Sequence, residues 1–471
     1  MSNGKPERQA TIIVDLGFGD CCKGSIVDFL ARRRQAHTVI RFNGGGQAGH
    51  NVVTADGRHH TFSQFGSATF VPGVRTYLSR FMIVSPMAAL TENEHLTQLG
   101  VNDALARTAV SDRSLVVTHF QWAANRLREL ARGDGRHGSC GMGVGETTYD
   151  HIRLGSDSVF VGDLAGDPTA LERKLRRLQE FKLADIAGVI AQCRGLTAAQ
   201  SELDLLESRL TTEEVHIIYR QYPQAIRVVG DDYLQRLLAA DGQVIFESAQ
   251  GVLLDQDHGF HPYTTWSRCT PVNALNLLKE NGYGGRVEKL GLLRAYATRH
   301  GPGPFVTESD YATATIPDRH NRLDPWQKNF RVGWLDLVSA RYAIAAGGGV
   351  DGLAVSCLDR LKAMRTWPVC QAYRLPPAAT ASQAQRLMSD FNPETGLASG
   401  IKAVPQIGDR AYQQALTDLL LQAAPSHDTG IEGDDFDAKS RQMLARITAD
   451  TGCQVRIASY GPTAQDKTFL P

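Results

Sequence analysis

Residues 10–25 read ATIIVDLGFGDCCKGS, and residues 26–34 continue as IVDFLARRR. The β-branched apolar run at 10–16 predicts a buried strand, and the glycine-containing segment at 17–25 predicts a loop. The amphipathic stretch that follows predicts a helix. A strand, a loop and a helix in this order begin an α/β pattern that the rest of the chain continues.

Short apolar runs recur along the chain and predict further buried strands. They are HTVIRF at 37–42, QVIFES at 243–248, EKLGLL at 288–293, GLAVSCL at 352–358 and QVRIAS at 454–459. Helical patterns lie between many of them, so the sequence predicts an α/β fold with a mainly parallel central sheet and flanking helices. Residues 168–242 are rich in Leu, Arg, Glu and Gln and predict a helical subdomain or insertion. The acidic, turn-rich segment 424–438 predicts an exposed loop.

The 471 residues can bury a large core and contain no internal repeat or low-complexity linker. We therefore expect one α/β body over 1–471, with the helical segment 168–242 inside it. The 50 basic residues balance the 50 acidic ones, which favours small-molecule partners over nucleic acid or an anionic membrane. There is no secretory signal, no apolar run of membrane-spanning length and no CxxC pair among the eight cysteines. These features indicate a cytoplasmic protein.

The loop at 17–25 combines Asp20 and Lys23 with several glycines at the start of the predicted helix. Backbone N–H groups at a helix N-terminus attract phosphate, and a nearby lysine adds a full positive charge. The loop matches neither GxxxxGK[ST] nor GxGxxG, because Cys22 stands where the second pattern needs its third glycine. Alone, it fits a phosphate-binding loop and an ordinary turn between strand and helix equally well.

A second glycine-rich segment, RFNGGGQAGHN, covers residues 41–51. Glycines let the backbone approach a ligand closely, and His50 is able to exchange a proton near neutral pH. Alone, the segment fits a tight loop with a surface histidine better than it fits a catalytic site.

Together and in order, these motifs resemble those of the adenylosuccinate synthetase family. The family reads GDEGKGK and GGHNAGH where this chain has GDCCKGS at 19–25 and GGGQAGH at 44–50. Further segments resemble family motifs: FESAQGVLLD at 246–255, DHGFHPYTT at 257–265, AYATRHGPGPF at 295–305, VGWLD at 332–336 and SYGP at 459–462. Collinear matches from residue 12 to residue 462 imply the family's fold, which is of the P-loop type.

The resemblance implies a magnesium- and nucleotide-dependent carbon–nitrogen ligase of purine biosynthesis. Such an enzyme phosphorylates the 6-oxo group of an IMP-like nucleotide and replaces it with an amine. Asp20 would be the base that takes the N1 proton, and His50 the acid that stabilises charge on the oxygen. Lys23 would neutralise phosphate charge, and Gln250 completes the catalytic set. Asp20 and the Gly49 carbonyl would bind Mg²⁺.

The resemblance also assigns nucleotide contacts. The donor-binding residues are Gly19, Lys23, Gly24, Asp359, Ser459, Gly461 and Pro462. The acceptor-binding residues are Gln47, Ser139, Arg153, Gln250, Leu254, Thr265 and His300. Asp359 lies in SCLD at 356–359, where the family reads TKLD, and its carboxylate would accept from guanine. GTP is therefore the expected donor, and Cys357 in place of the family's lysine leaves ATP as an alternative.

The chain departs from the family just before Gly333. The family's TTGRRRR loop grips L-aspartate, whereas residues 325–331 here read PWQKNFR. Trp326, Lys328 and Arg331 form the candidate amine-binding loop. Because Lys does not replace Arg where a carboxylate is held bidentately, the amine is expected to be aspartate or a different donor.

Two alternatives to this remodelled ligase remain. One is an ordinary GTP-dependent adenylosuccinate synthetase that uses IMP and L-aspartate. The other is a nucleotide-binding pseudoenzyme with a regulatory or scaffold role. A phage branch of the family that makes 2-aminoadenylosuccinate replaces the catalytic aspartate, and Asp20 is intact here. Cys21 and Cys22, which replace a Glu-Gly pair, are interpreted as packing residues. The resemblance implies a homodimer.

Overall fold

The computed structural model describes residues 7–208, 217–316, 318, 330–428 and 430–471. The chain forms two compact units. The first unit comprises Met1–Ala10, Leu30–Ala249 and Asn273–Arg286. The second unit comprises Thr11–Phe29, Gln250–Val272 and Val287–Pro471.

Strands occur along most of the described chain. They are β1 (Gln9–Asp15), β2 (Ala36–Arg41), β3 (His50–Val53), β4 (His59–Phe62), β5 (Arg75–Leu78), β6 (Thr108–Ser111), β7 (Arg227–Val229), β8 (Gln243–Glu247), β9 (Arg286–Arg294), β10 (Ala297–His300), β11 (Phe330–Gly333), β12 (Leu335–Asp336), β13 (Gly352–Ser356), β14 (Thr366–Trp367), β15 (Val369–Arg374), β16 (Met388–Asn392), β17 (Leu397–Ile401), β18 (Ala424–His427), β19 (Ile431–Glu432), β20 (Val455–Ser459) and β21 (Lys467–Phe469).

Helices separate many of these strands. They are Lys23–Arg34, Pro86–Gln98, His119–Ala131, Val144–Leu154, Val161–Ala165, Pro168–Asp185, Ala187–Cys193, Gln200–Glu207, Tyr222–Ala225, Asp232–Ala239, Val272–Glu280, Asp310–Thr315, Leu337–Ala346, Ala381–Leu387, Arg410–Leu420 and Phe436–Thr451. Short 3-10 helices are Gly133–Gly135, Gly155–Asp157, Thr197–Ala199, Val252–Leu254, Leu358–Ala363 and Ala464–Asp466. In the described part of the chain, no helix is long and apolar enough to cross a bilayer.

The first unit contains five parallel strands in the order β8-β2-β5-β6-β7. One of its apolar cores includes Phe120 and Leu127 of one helix and Leu171 and Leu175 of another. Because β2 and β8 are parallel neighbours, the loops that follow them leave the sheet at the same edge. That edge carries the segment 43–50 of the first unit.

The second unit contains the strands β21-β20-β13-β9-β1, in that order. β13 is parallel to both β9 and β20, and β21 is antiparallel to β20. A smaller sheet in the same unit has the order β12-β15-β17-β16, with β18 paired to β15. The loop after β1 and the segment after β13 carry the candidate phosphate and base contacts of the donor nucleotide.

The predicted α/β class with mainly parallel strands is confirmed. The runs predicted as strands at 37–42, 243–248, 288–293, 352–358 and 454–459 are β2, β8, β9, β13 and β20. Helices occupy most of the described part of 168–242.

The prediction of an exposed loop over 424–438 is wrong. β18 pairs with β15, β19 pairs with β14, and a helix begins at Phe436 with Asp435 as its N-cap. Turn-forming side chains did not prevent pairing, because these short strands bond through backbone groups at a sheet edge. The Asp435 carboxylate accepts from the amides of Asp437 and Ala438 and so begins the helix.

Candidate active site

The loop between β1 and the helix Lys23–Arg34 is organised by a buried carboxylate, Asp15. Its Oδ1 accepts from the amides of Gly17 at 2.9 Å and Gly19 at 3.2 Å. Its Oδ2 accepts from the Cys21 amide at 2.8 Å and from the Lys23 ammonium at 2.9 Å. Burial would raise the pKa of Asp15, but the Lys23 charge and these amides outweigh burial and lower it. The loop is thus preformed around one charge pair.

The Lys23 side chain is held by two hydrogen bonds. Its ammonium donates to the Gly19 carbonyl at 2.5 Å as well as to Asp15. Its side chain is almost fully buried, and the Asp15 charge raises its pKa although burial acts in the opposite direction. Lys23 therefore stays cationic.

The segment after β8 in sequence packs closely on the same loop within the second unit. The Leu253 amide donates to the Gly17 carbonyl at 3.1 Å. A Cβ at Gly251 would lie 2.1 Å from the Gly17 oxygen and 2.6 Å from the Gly19 nitrogen. Gly19 has φ +106° and lies against the backbone of Gln250, which itself has φ +55°. Gly251 is required here by close approach of two backbones.

Gly251→Ala is expected to displace the loop between β1 and the helix Lys23–Arg34. The added methyl meets backbone atoms rather than a flexible side chain, so we expect a loss of about 2 kcal/mol in the free energy of unfolding. Urea unfolding measures this loss. Gly188→Ala is the control, because its Cβ meets nothing within 4 Å and the residue lies in a helix. An unchanged unfolding midpoint for Gly251→Ala would contradict the close approach.

Asp20 lies beside His300, with 3.6 Å between Asp20 Oδ2 and His300 Nε2. Among the described residues, Asp20 Oδ2 has no hydrogen-bond partner. Burial raises the pKa of Asp20, and the His300 ring and the Arg294 guanidinium only partly offset that rise. A partly dehydrated carboxylate with an oxygen that accepts no hydrogen bond suits proton abstraction.

The donor-binding candidates of the second unit follow β13 and β20. Asp359, in the 3-10 helix after β13, is partly exposed, and burial raises its pKa. The Ser459 hydroxyl donates to the Gly461 carbonyl at 3.3 Å. Lys467 also donates to that carbonyl, at 3.2 Å. Gly461 and the exposed Pro462 form the turn between β20 and β21, and Gly24 lies in the first turn of the helix Lys23–Arg34.

In the first unit, His50 is held by a buried glutamate at the end of β8. The distance from His50 Nδ1 to Glu247 Oε1 is 2.6 Å. The Ser67 amide donates to Glu247 Oε2 at 3.0 Å, and the Ser67 hydroxyl donates to Oε1. Burial would raise the pKa of Glu247, but His50, Arg41 and Ser67 outweigh burial and lower it to about 2. An ionised Glu247 fixes the ring so that Nδ1 donates and Nε2 is presented for chemistry.

Glu247 should make stability depend on acidity. Its pKa is depressed in the folded chain from an ordinary value of 4.5 to about 2. Its contribution is therefore complete above pH 4.5 and is lost as the pH falls toward 2. The unfolding free energy of Glu247→Gln, measured in urea, should fall less steeply across that window than that of the unaltered chain.

Glu280→Gln is the matched control for that titration, because Glu280 is half exposed on the same unit. We expect it to retain the slope of the unaltered chain. Equal slopes for the Glu247 variant and the unaltered chain would contradict the depressed pKa.

Three acceptor-binding candidates lie in the first unit and take different places. Gln47 is half-buried, and neither side-chain atom has a hydrogen-bond partner among the described residues. The Ser139 hydroxyl donates to Asn125 Oδ1 at 2.9 Å. Arg153 is exposed, with its guanidinium carbon 3.5 Å from the centre of the Tyr149 ring. Gly49 is exposed immediately before β3.

The remaining acceptor candidates belong to the second unit. The Thr265 amide donates to the Leu254 carbonyl at 2.8 Å, which brings those two residues together. Gln250 Oε1 has no partner in the part of the chain that the structure describes. His300 packs on Phe330, with ring centroids 4.7 Å apart.

Of the three amine-binding candidates, Arg331 lies among the described residues. Trp326 and Lys328 lie outside the described residues. Arg331 is engaged within its own unit: it donates to Glu308 Oε2 at 2.7 Å and to the carbonyls of Gly301 at 2.7 Å and Gly303 at 3.0 Å. Its two terminal nitrogens thus donate to protein atoms, whereas Nε has no hydrogen-bond partner among the described residues.

Sequence reasoning missed Asp15, Glu247 and Asn43. The Asn43 side chain bonds both backbone groups of Ala249, at 2.7 and 2.9 Å, and so joins the loops after β2 and β8. An available signal was an acidic residue at the end of an apolar strand, which both Asp15 and Glu247 provide. Such a residue is buried at high cost unless it is paired.

Several known proteins are similar to this chain over nearly its whole length. The sequence profile described as adenylosuccinate synthetase matches residues 12–468. The chain is 29% identical over 469 residues to adenylosuccinate synthetase of Mycobacterium leprae, with 98% of each chain covered. It is 31% identical over 477 residues to that of Clostridium beijerinckii, again with 98% of each covered.

Two solved structures share the fold. Fully ligated adenylosuccinate synthetase from Plasmodium falciparum aligns with a TM-score of 0.74 at 18% identity, covering 99% of this chain and 100% of that one. Cyanophage S-2L succinoaminodeoxyadenylate synthetase, bound to dGMP and to dATP as an energy donor, aligns with a TM-score of 0.59 at 16% identity, covering 99% and 96%.

The profile match and these relatives define the class of the protein as a carbon–nitrogen ligase. The profile match spans nearly the whole chain. The chain belongs to the adenylosuccinate synthetase family.

Proposed function

We propose that this protein phosphorylates the 6-oxo group of an IMP-like purine nucleotide and then replaces that group with an amine. The carrying observation is the loop built on Asp15, which holds Lys23 as a buried cation and leaves an Asp20 oxygen uncommitted. A loop organised in this way supplies both phosphate binding and a base. A pseudoenzyme has no need to retain both.

In the proposed first step, Asp20 takes the N1 proton and the electron pair moves toward the 6-oxygen. That oxygen then attacks the γ-phosphorus of the donor, and the bond from that phosphorus to the diphosphate oxygen breaks. His50 stabilises the negative charge that collects on the 6-oxygen, with Glu247 supporting the ring as a cation. Lys23 neutralises phosphate charge. In the second step, the amine nitrogen forms a bond to C6 and gives up one proton to solvent, and the bond from C6 to the phosphorylated oxygen breaks to release inorganic phosphate.

The residues present fit a magnesium ion that also binds substrate phosphates. Asp20 offers a carboxylate oxygen with no hydrogen-bond partner among the described residues. Within those residues, no cluster of three or more His, Cys, Asp or Glu side chains is placed to hold a metal alone. Mg²⁺ is commonly held by one or two protein oxygens, with phosphates and water completing its shell. Asp20 and the Gly49 carbonyl would hold it, and it would supply positive charge to the donor phosphates.

The donor is proposed to be GTP. The Asp359 carboxylate follows β13 and is partly exposed. A carboxylate accepts from N1–H and the 2-amino group of guanine, whereas adenine offers neither pattern. Cys357, two residues earlier, leaves ATP as the alternative donor. The acceptor contacts are proposed to come from Gln47, Ser139, Arg153, Gln250, Leu254, Thr265 and His300.

The amine is proposed to be held differently from L-aspartate in an ordinary adenylosuccinate synthetase. Both terminal nitrogens of Arg331 already donate, to Glu308 and to two carbonyls, so a bidentate grip on a dicarboxylate through those nitrogens would compete with these bonds. Lys328 and Trp326 are the other proposed contacts. A cytoplasmic homodimer is the proposed state of the protein.

The test is phosphate release in the presence of Mg²⁺, followed by mass spectrometry of the nucleotide product. GTP, ATP and dATP are compared as donors, and IMP and dGMP as acceptors, each with L-aspartate and with a panel of other amines. We expect a new product mass with IMP, GTP and an amine other than aspartate. If a product with the mass of adenylosuccinate formed at full rate, the protein would have the ordinary specificity for IMP and L-aspartate. No product despite measurable nucleotide binding would contradict the ligase.

A further inference from the structure

Two cysteines far apart in sequence meet beside the phosphate loop of the second unit. Cys22 is the last loop residue before the helix Lys23–Arg34, and Cys357 follows β13 directly. Their sulfur atoms lie 3.6 Å apart, although 335 residues separate them in the chain. Both residues are half-buried.

The backbone at both positions is unusual in the same way. Cys22 has φ +63° and Cys357 has φ +59°, in the left-handed region that non-glycine residues seldom adopt. Such a backbone conformation is strained for a residue with a side chain and persists only where its surroundings hold it. The surroundings here include the Ser356 hydroxyl, which donates to the Cys21 carbonyl at 3.5 Å and to the Leu293 carbonyl at 3.2 Å. The two thiols are therefore held near each other by the fold.

We propose that Cys22 and Cys357 are a modification site. A small-molecule disulfide, such as oxidised glutathione, oxidises the two thiols, which then form a reversible disulfide with each other. One cysteine sulfur attacks the small disulfide, whose S–S bond breaks to give a mixed disulfide and one thiol. The other cysteine sulfur then attacks the mixed disulfide and releases the second thiol. Both cysteine protons end on the two released thiols, the protein loses two electrons, and the small disulfide gains them.

The bond requires little movement of the chain. The sulfur atoms must approach from 3.6 Å to about 2.05 Å, a change within reach of side-chain rotation and a small backbone shift. The partner of Cys22 is Cys357 and not its neighbour Cys21, which is buried. Disulfides in reducing compartments are mostly transient and redox-sensing, which fits a pair that begins as thiols.

The disulfide has a functional consequence, which rests on the proposed function. Cys22 precedes Lys23, the proposed phosphate ligand, and Cys357 lies two residues before Asp359, the proposed base ligand. Closing the bond ties the segment that contains Lys23 to the segment that contains Asp359. Both segments then lie slightly away from the positions that they occupy when the cysteines are reduced. The oxidised protein should bind the donor nucleotide about tenfold or more weakly, a difference of about 1.4 kcal/mol.

The first measurement maps the bond without any nucleotide. The full-length protein is incubated with oxidised glutathione, digested without reductant and analysed by mass spectrometry. We expect a loss of about 2 Da in the intact mass, a cross-linked peptide pair containing Cys22 and Cys357, and reversal by dithiothreitol. Retained glutathione adducts alone, or a Cys21–Cys22 link, would overturn the proposal.

Variants separate the three neighbouring sulfurs. Cys21→Ser should keep the cross-link, whereas Cys22→Ser and Cys357→Ser should each abolish it. Cys453→Ser, at another half-buried thiol, is the matched control and should behave as the unaltered chain does. Loss of the cross-link in Cys21→Ser but not in Cys22→Ser would overturn the assignment.

The second measurement is equilibrium binding of GTP and ATP to the reduced and oxidised protein. We expect weaker binding after oxidation, recovery with dithiothreitol, and no response in Cys357→Ser. A cross-link that leaves nucleotide binding unchanged would overturn its functional consequence. Failure of the reduced protein to bind either nucleotide would instead contradict the proposed function, while the mapped disulfide would stand.

Discussion

Asp20→Asn is expected to lower the turnover number by about 10³-fold, because the amide cannot take the N1 proton. The change is nearly isosteric. It replaces a carboxyl group whose pKa is already raised by burial. We therefore expect the variant to fold and to keep a thermal midpoint close to that of the unaltered chain. Single-turnover product formation with Mg²⁺, donor, acceptor and the active amine measures the loss. A turnover number within tenfold of the unaltered value would exclude Asp20 as the base.

The pH dependence of the unaltered enzyme provides an independent check on Asp20. A base must be ionised to act, so kcat/KM rises with pH through the pKa of the free enzyme's base. Because burial raises the pKa of Asp20 above its ordinary value of 3.8, the acid limb should lie above that value. Asp310→Asn, at an exposed carboxylate, is the matched control and should leave both the rate and the limb unchanged.

Asp15→Asn is expected to remove about 3 kcal/mol from the free energy of unfolding and to abolish donor binding. Both carboxylate oxygens of Asp15 accept hydrogen bonds. In the variant, the NH₂ group that replaces one oxygen is a donor, and it would face another donor, either a backbone N–H or the Lys23 ammonium. Lys23, only 2% exposed, is left as a buried cation without its counter-ion. Urea unfolding and equilibrium binding of GTP measure the two losses.

The double variant Asp15→Asn/Lys23→Met distinguishes charge pairing from packing. Removing both charges eliminates the unpaired ammonium, so we expect much of the lost stability to return. Donor binding should stay absent, because the phosphate ligand itself is gone. A double variant as unstable as Asp15→Asn alone would show that the pair does not control the fold of this loop.

The strands and the loop positions were predictable from sequence because their signals are local. β2, β8, β9, β13 and β20 each appear as an apolar run of strand length, and the phosphate loop appears as glycines between a strand and a helix. The exposed loop predicted over 424–438 failed for the opposite reason. β18 and β19 are short edge strands whose pairing depends on β15 and β14, which their own polar sequence does not specify.

The candidate catalytic residues were predictable only as members of family motifs, while their supports were not. Asp20 and His50 stand in segments that resemble known motifs. Glu247, which holds His50, lies 197 residues away from it, and nothing in the spacing marks the two as partners. The same holds for Asn43, whose amide bonds the backbone 206 residues further on.

The sequence by itself determined the α/β class, the positions of the main strands along the chain and the family, because periodicity and collinear motifs are local features of the sequence. Only the tertiary structure decided that Asp15 pairs with Lys23, that Glu247 holds His50, and that Cys22 meets Cys357. These contacts depend on which strand ends come together in the folded chain. The two ion pairs are strengthened by burial, since charges removed from water attract each other more strongly than exposed ones.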